Sequence, residues 1–163
     1  MRKLTGIAAA PGLAVGEVRM IPRRPAGITR SVQAPHQEKA LYEAARILAK
    51  DELAAISERA QEADRDIFVF QQVMLDDAGL NRAVMEEIDS GAAAADAVER
   101  AGEVYAQRLR EVEDAYISQR AADVYDVCRR VADILDGRPR ERLYLTRPAI
   151  VLADEILPSD LIT

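Results

Sequence analysis

From Pro35 to Gly137 apolar side chains recur at steps of three and four, a spacing that commits most of the chain to amphipathic helices. Pro35 suits a first helical position, where its missing N–H would have no partner anyway. Leu41, Ala44, Ala45, Leu48, Leu53 and Ile56 follow near helical spacing to about Glu62, a helix roughly 40 Å long at ~1.5 Å per residue. A second helix is expected from Asp66 to about Leu75, on Ile67, Phe70, Val73 and Met74. Asp76-Asp77-Ala78-Gly79 interrupts it, either aspartate being able to cap the following turn. Leu80, Val84, Met85 and Ile88 continue on a short helix that Ser90-Gly91 ends. The third long stretch carries Ala97, Val98, Ala101, Val104, Tyr105, Leu109 and Val112 on one stripe. The fourth carries Ile117, Ala121, Val124, Cys128, Val131 and Leu135, closed by Gly137 as a left-handed cap with Pro139 just beyond. Aromatic residues make up only 4% of the chain and alanine is abundant. Small side chains let helix axes approach closely, so the stretches predict an antiparallel four-helix bundle rather than a β-sandwich.

The ends of the chain read differently. Gly6, Pro11, Gly12 and Gly16 break any helix in Leu4 to Ile21 and suit strand, Pro-Gly turn, strand. Pro22, Pro25 and Pro35 mark Ile21 to Ala34 as an irregular connector. Ala149 to Ala153, bounded by Pro148 and Asp154, fits a buried strand, and Pro158 to Thr163 resembles a helix start. The terminal strands are expected to pair, with the helices inserted between them. The expected division is residues 1–33 with 138–163 as a partial α/β subdomain, and 34–137 as a helical subdomain. Too few strands and no covering helices remain to bury both faces of a sheet, so the reading expects a larger parent protein.

A formal charge of −6 disfavours nucleic-acid binding, which needs a basic face, and favours a basic partner. No apolar run reaches the ~20 residues of a membrane-spanning helix, so no membrane partner and a cytoplasmic location are expected. The single Cys128 forms no internal disulfide, and no Cys/His spacing matches structural zinc.

No catalytic constellation is complete. His36, the only histidine, lies at a helix start and reads as an ordinary exposed residue. Cys128 falls on an apolar stripe and reads as a small buried hydrophobe. Ser159-Asp160 reads as a helix cap, and the glycines match no phosphate-cradling pattern. The string Val73-Met74-Leu75-Asp76-Asp77-Ala78-Gly79-Leu80 offers either ordinary core residues or an apolar patch ringed by carboxylates, suited to a basic partner. Arg120-Ala-Ala-Asp123 gives Arg120 either a salt bridge to Glu113 or Asp114 or a contact with a partner.

Four segments occur together in order: Gly6 to Gly16, Ile67-Phe68 to Leu80, Gln119-Arg-Ala-Ala-Asp-Val-Tyr-Asp126, and Val151 to Asp160. With them the chain, from Leu4 to Thr163, resembles the N-terminal part of enzyme I of the bacterial phosphotransferase system, the phosphoenolpyruvate-protein phosphotransferase family that serves sugar transport. The resemblance implies that the helical subdomain docks the histidine-containing phosphocarrier protein, and that the two ends build an α/β swivelling phosphohistidine subdomain. In that family a histidine in a Gly-Gly-x-Thr-Ser-His stretch, due after Pro158-Ser159-Asp160, takes phosphate from phosphoenolpyruvate. The substrate is bound with magnesium in a separate C-terminal domain. This chain lacks that stretch, so it is expected to be an inactive, monomeric fragment of an enzyme, with no catalytic, cofactor or metal residue of its own. The carrier-docking positions that carry over are Glu62, Asp66, Val73, Met74, Asp77 and Leu80, with Leu109, Ile117 and Arg120 opposite. The chain departs from the family in Ala78-Gly79, where relatives often have an acidic run, and in Gln71, where they often have histidine. A nitrogen-regulatory or dihydroxyacetone-kinase-type phosphotransferase and a non-enzymatic helical adaptor are the alternatives.

Overall fold

The computed structural model describes residues 11–21, 31–60, 62–138 and 147–153, with backbone alone for 63 and 64. Strand β1, Glu17–Met20, pairs in parallel with β2, Ala149–Leu152, in the register Glu17 to Ala149 through Met20 to Leu152. A parallel pair requires a crossover, and here the helices supply it. The expected pairing of the two ends is therefore present. The first half of the strand–turn–strand expectation, part of the connector, Pro139 and the segment after Ala153 lie outside the described residues.

Helix α1 spans Pro35–Arg59, with Pro35 at its first position. The Gln37 side chain accepts from Ala34 N at 3.3 Å, and Glu38 accepts from Gln33 N at 2.8 Å. Glu38 is wholly buried because its other oxygen accepts from Ala94 N at 2.9 Å, on the first turn of α4. One carboxylate thus serves two helix starts, where free N–H groups and the helix dipole favour negative charge. Helix α2 runs Glu62–Leu75, α3 Ala78–Asp89, α4 Ala94–Arg110, α5 Ala115–Gln119 and α6 Ala121–Leu135. Gly91 and Gly137 take positive φ at 97° and 60°, so Gly137 is the left-handed cap expected after α6. The expected fourth helix is two: Asp114 caps α5 by accepting from Tyr116 N and Ile117 N, and Arg120 alone separates α5 from α6.

The architecture is mostly helical with a small two-stranded sheet. Packing is most extensive between α4 and α6, then between α1 and α2 and between α3 and α4. The core-facing side of α4 consists of Ala94, Ala95, Ala97, Val98, Ala101, Gly102 and Ala106. These small residues bring α4 close to α6, where Gly102 meets Cys128. No described helix is long and apolar enough to cross a membrane.

Two helix faces are turned from the expected ones. On α1 the buried set is Glu38, Tyr42, Ala45, Ala49 and Leu53, while Leu41 and Leu48 face outward. On α2 the buried set is Phe68, Gln71 and Leu75, and Val73 is exposed. In both helices a polar residue holds a core position and hydrogen-bonds to a side chain of another helix. The Tyr42 hydroxyl donates to Asn81 Oδ1, and Gln71 Nε2 donates to Asp126 Oδ2 at 3.2 Å.

A candidate docking surface across two helices

Residues three and four apart share a helix face. With Phe68, Gln71 and Leu75 turned inward, α2 presents Glu62, Asp66, Val69, Phe70 and Val73 outward or at the margin. Val69 is 48% and Val73 62% exposed, Glu62 and Asp66 are exposed, and Phe70 is half-buried. Met74 is half-buried against the core.

The corner after α2 is fixed to α1. Leu75 O accepts from Arg46 Nη1 and from Asn81 Nδ2, each at 3.1 Å, and Asp76 pairs with Arg46 at 2.9 Å and Lys50 at 2.5 Å. The hydrogen bond from Lys50 leads the influences that hold the Asp76 carboxyl below its ordinary value. Asp77 caps α3, its Oδ1 accepting from Leu80 N at 2.7 Å. Of the acidic pair, Asp77 is therefore the cap that the sequence allowed, and Asp76 is held in ion pairs. Asp77→Ala is expected to cost about 1 kcal/mol of stability in urea unfolding, the usual value for a lost N-cap. An unchanged midpoint would mean that the cap contributes nothing.

Across from α2 stand Tyr116, 67% exposed, and Ile117, 39% exposed, both on α5. Between them lies Arg120. Its guanidinium sits 5.1 Å from the Phe70 ring centroid and 4.9 Å from that of Tyr116. Nη2 donates to the Tyr116 hydroxyl at 2.9 Å, and Nη1 donates to Asp123 Oδ2 at 3.1 Å. The hydrogen bond to Tyr116 is the largest influence on Arg120 and holds it more firmly charged. Burial lifts the Asp123 carboxyl above its ordinary value even with Arg120 against it, so desolvation outweighs the attraction there. The partners expected for Arg120, Glu113 and Asp114, are replaced by Tyr116 and Asp123. Asp114 is engaged in capping α5.

The expected docking residues thus divide. Val73, Ile117, Glu62 and Asp66 are accessible, and Arg120 joins α2 to α5 through Phe70 and Tyr116. Leu80 is corrected: it is 3% exposed and belongs to the core, since capping by Asp77 turns the first turn of α3 inward. Met74 and Leu109 pack partly against the core, and Asp77 is occupied by its capping bond. Val69, Phe70 and Tyr116 were not anticipated. The signal for Val69 was its i, i+4 spacing to Val73 beside Asp66, on the side of α2 away from Phe68. His36 is exposed at the start of α1, and burial pushes the Cys128 thiol up to about 12, an unreactive state.

Comparison with known proteins adds the following. A family model described as PEP-utilising enzyme, N-terminal, matches residues 5–120. The phosphoenolpyruvate-protein phosphotransferase of Bacillus sp. (strain S) is 28% identical over 166 residues, covering 98% of this chain and 29% of that protein. That of Geobacillus stearothermophilus is 29% identical over 166 residues with the same coverage, 98% and 29%. The chain therefore spans 29% of the length of these relatives. A solved structure titled N-terminal domain of Enzyme 1 - Nitrogen superposes with a TM-score of 0.68 at 28% identity, covering 94% of this chain and 66% of that one. A solution structure of an Enzyme I protein gives 0.66 at 24% identity over 95% and 66% of the two chains, a likeness of fold.

Proposed function

Because the chain belongs to the family of PEP-utilising enzymes, in their N-terminal region, we propose that its role is to dock a histidine-containing phosphocarrier protein for phosphoryl transfer. One observation carries this reading: Arg120 lies against Phe70 of α2 and Tyr116 of α5, and both helices carry exposed apolar residues, Val69 and Val73 on α2 and Ile117 on α5. An apolar centre excludes water, and Glu62 and Asp66 at its edge steer a basic carrier. The parent is a phosphoenolpyruvate-protein phosphotransferase whose C-terminal part holds phosphoenolpyruvate and magnesium, and whose phosphoryl-accepting histidine follows Pro158-Ser159-Asp160. Residues 34–137 act as the docking subdomain, an antiparallel bundle inserted in the α/β subdomain formed by residues 1–33 and 138–163.

Titration of the chain with the histidine-containing phosphocarrier encoded in the same genome tests the reading. Binding is expected at micromolar affinity, about −8 kcal/mol, weakening as salt rises because exposed charges are screened. Val73→Asp is expected to weaken it about tenfold or more while the exposed site leaves thermal stability within about 0.5 kcal/mol. Absence of any heat or chemical-shift response at low salt would remove the docking assignment. A nitrogen-regulatory parent is favoured by one observation, the likeness to the nitrogen-type N-terminal domain. Preference for that system's carrier over a sugar-system carrier would select it.

A further inference from the structure

Arg120 is the one described cation held between two aromatic rings, and the residues holding it come from different helices. Phe70 on α2 lies 5.1 Å from its guanidinium carbon and Tyr116 on α5 lies 4.9 Å from it. Tyr116 acts twice, through its ring and through a hydroxyl that accepts from Nη2 at 2.9 Å. Asp123 takes Nη1 at 3.1 Å, so two of the five guanidinium N–H donors are spoken for by these contacts. A free arginine on a surface samples many rotamers and loses that freedom on binding. An arginine stacked on aromatic faces has already lost it, and its planar fork suits stacking in a way a lysine ammonium does not.

Tyr116 itself is 67% exposed on a five-residue helix, so its burial contributes little to the core. We infer that Tyr116 is a positioning residue, which with Phe70 pre-orients Arg120 so that its remaining donors meet an acidic or phosphorylated group of the docked carrier. This deepens the docking reading and rests on it. Most of the affinity set by Tyr116 then passes through Arg120.

The test is a double-mutant cycle on the full chain, titrated with the histidine-containing phosphocarrier encoded in the same genome. Arg120→Lys keeps the charge beside Asp123 and loses the stacked fork. Tyr116→Leu is expected to raise Kd about fivefold, the scale of an exposed cation–π contact. Tyr116→Phe, which retains the ring, is expected to raise it about twofold. In the Arg120→Lys background, Tyr116→Leu is expected to add less than twofold, with melting temperatures unchanged throughout. An equal effect of Tyr116→Leu in both backgrounds would overturn the inference while leaving docking intact. So would unchanged binding in Tyr116→Leu alongside weakened binding in Arg120→Lys. The unbound chain gives an independent readout: the Arg120 Nε–H proton is expected to be ring-current shifted and to return toward its unstructured position in Tyr116→Leu. An unshifted proton in the wild type would overturn the clamp whether or not the carrier binds, whereas a shifted proton with no carrier binding would overturn the docking reading and the inference together.

Discussion

Phe68→Ala is expected to lose about 3–5 kcal/mol of unfolding free energy, and Val69→Ala, one residue further along, less than about 0.5 kcal/mol. Phe68 is wholly buried and is the largest of the fully enclosed side chains; with Leu53, Ile88 and Val84 it belongs to the central cluster. Its truncation removes apolar transfer energy and leaves a cavity that the surrounding α-helices close only in part. Against a typical total of about 5–15 kcal/mol for a domain, that loss is large. Phe68→Leu keeps most of the volume and is expected to cost under half as much. Equilibrium urea unfolding of the three variants reads the orientation of α2 directly. A tolerated Phe68→Ala beside a destabilising Val69→Ala would place the opposite face of α2 inward and dissolve the proposed surface.

The second large effect lies where α4 and α6 touch. A Cβ at Gly102 would stand 2.6 Å from Cys128 Cβ and 2.8 Å from its Sγ. Cβ is fixed to the backbone, so relief requires the helices to separate. Overpacking of this kind costs typically about 1–3 kcal/mol, and the better helix propensity of alanine returns about 1 kcal/mol. Gly102→Ala is therefore expected to lose a net of about 0–2 kcal/mol, and Gly102→Leu more than about 3 kcal/mol. Cys128→Ala removes Sγ but leaves the Cβ clash, so it is not expected to rescue Gly102→Ala. Cys128→Gly removes both atoms and is expected to reduce the additional cost of Gly102→Ala. Thermal melts of the two double variants against their single Cys128 backgrounds decide this. A stabilised Gly102→Ala would mean that the axes are further apart than the structure places them.

The order of the helices was legible in the sequence because their ends are written in local chemistry. Pro35, Asp77, Ser90-Gly91 and Gly137 mark boundaries that the structure reproduces to within a few residues. The pairing of the chain ends was legible too, through the apolar run Ala149 to Leu152. Which face of each helix points inward was less so. The expected stripe of α1 held Leu41 and Leu48 beside Ala45 and Leu53; Ala45 and Leu53 are buried as expected, whereas Ala49 takes the place of the two exposed leucines. Polarity gives no signal that Glu38 and Gln71 are buried, yet each hydrogen-bonds to a partner distant in sequence, Ala94 N and Asp126 respectively. Those partnerships exist only once the helices are assembled. Leu80, which the family resemblance carried over as a docking position and the residues alone also offered as core, is core, while Val69, Phe70 and Tyr116 were not anticipated as docking residues. Arg120 was singled out from its segment, but its place against both Phe70 and Tyr116 depends on the α5–α6 junction meeting α2.

The central claim is that α2, α5 and the start of α6 form one docking face. Amide chemical-shift mapping of the chain during titration with the histidine-containing phosphocarrier from the same genome tests it most directly. The account predicts the largest changes at Asp66, Val69, Phe70, Val73, Tyr116, Ile117 and Arg120, with Leu41 and Leu48 on the outer face of α1 unmoved. Saturable changes centred on α1, with residues 66–73 and 116–120 silent, would contradict it.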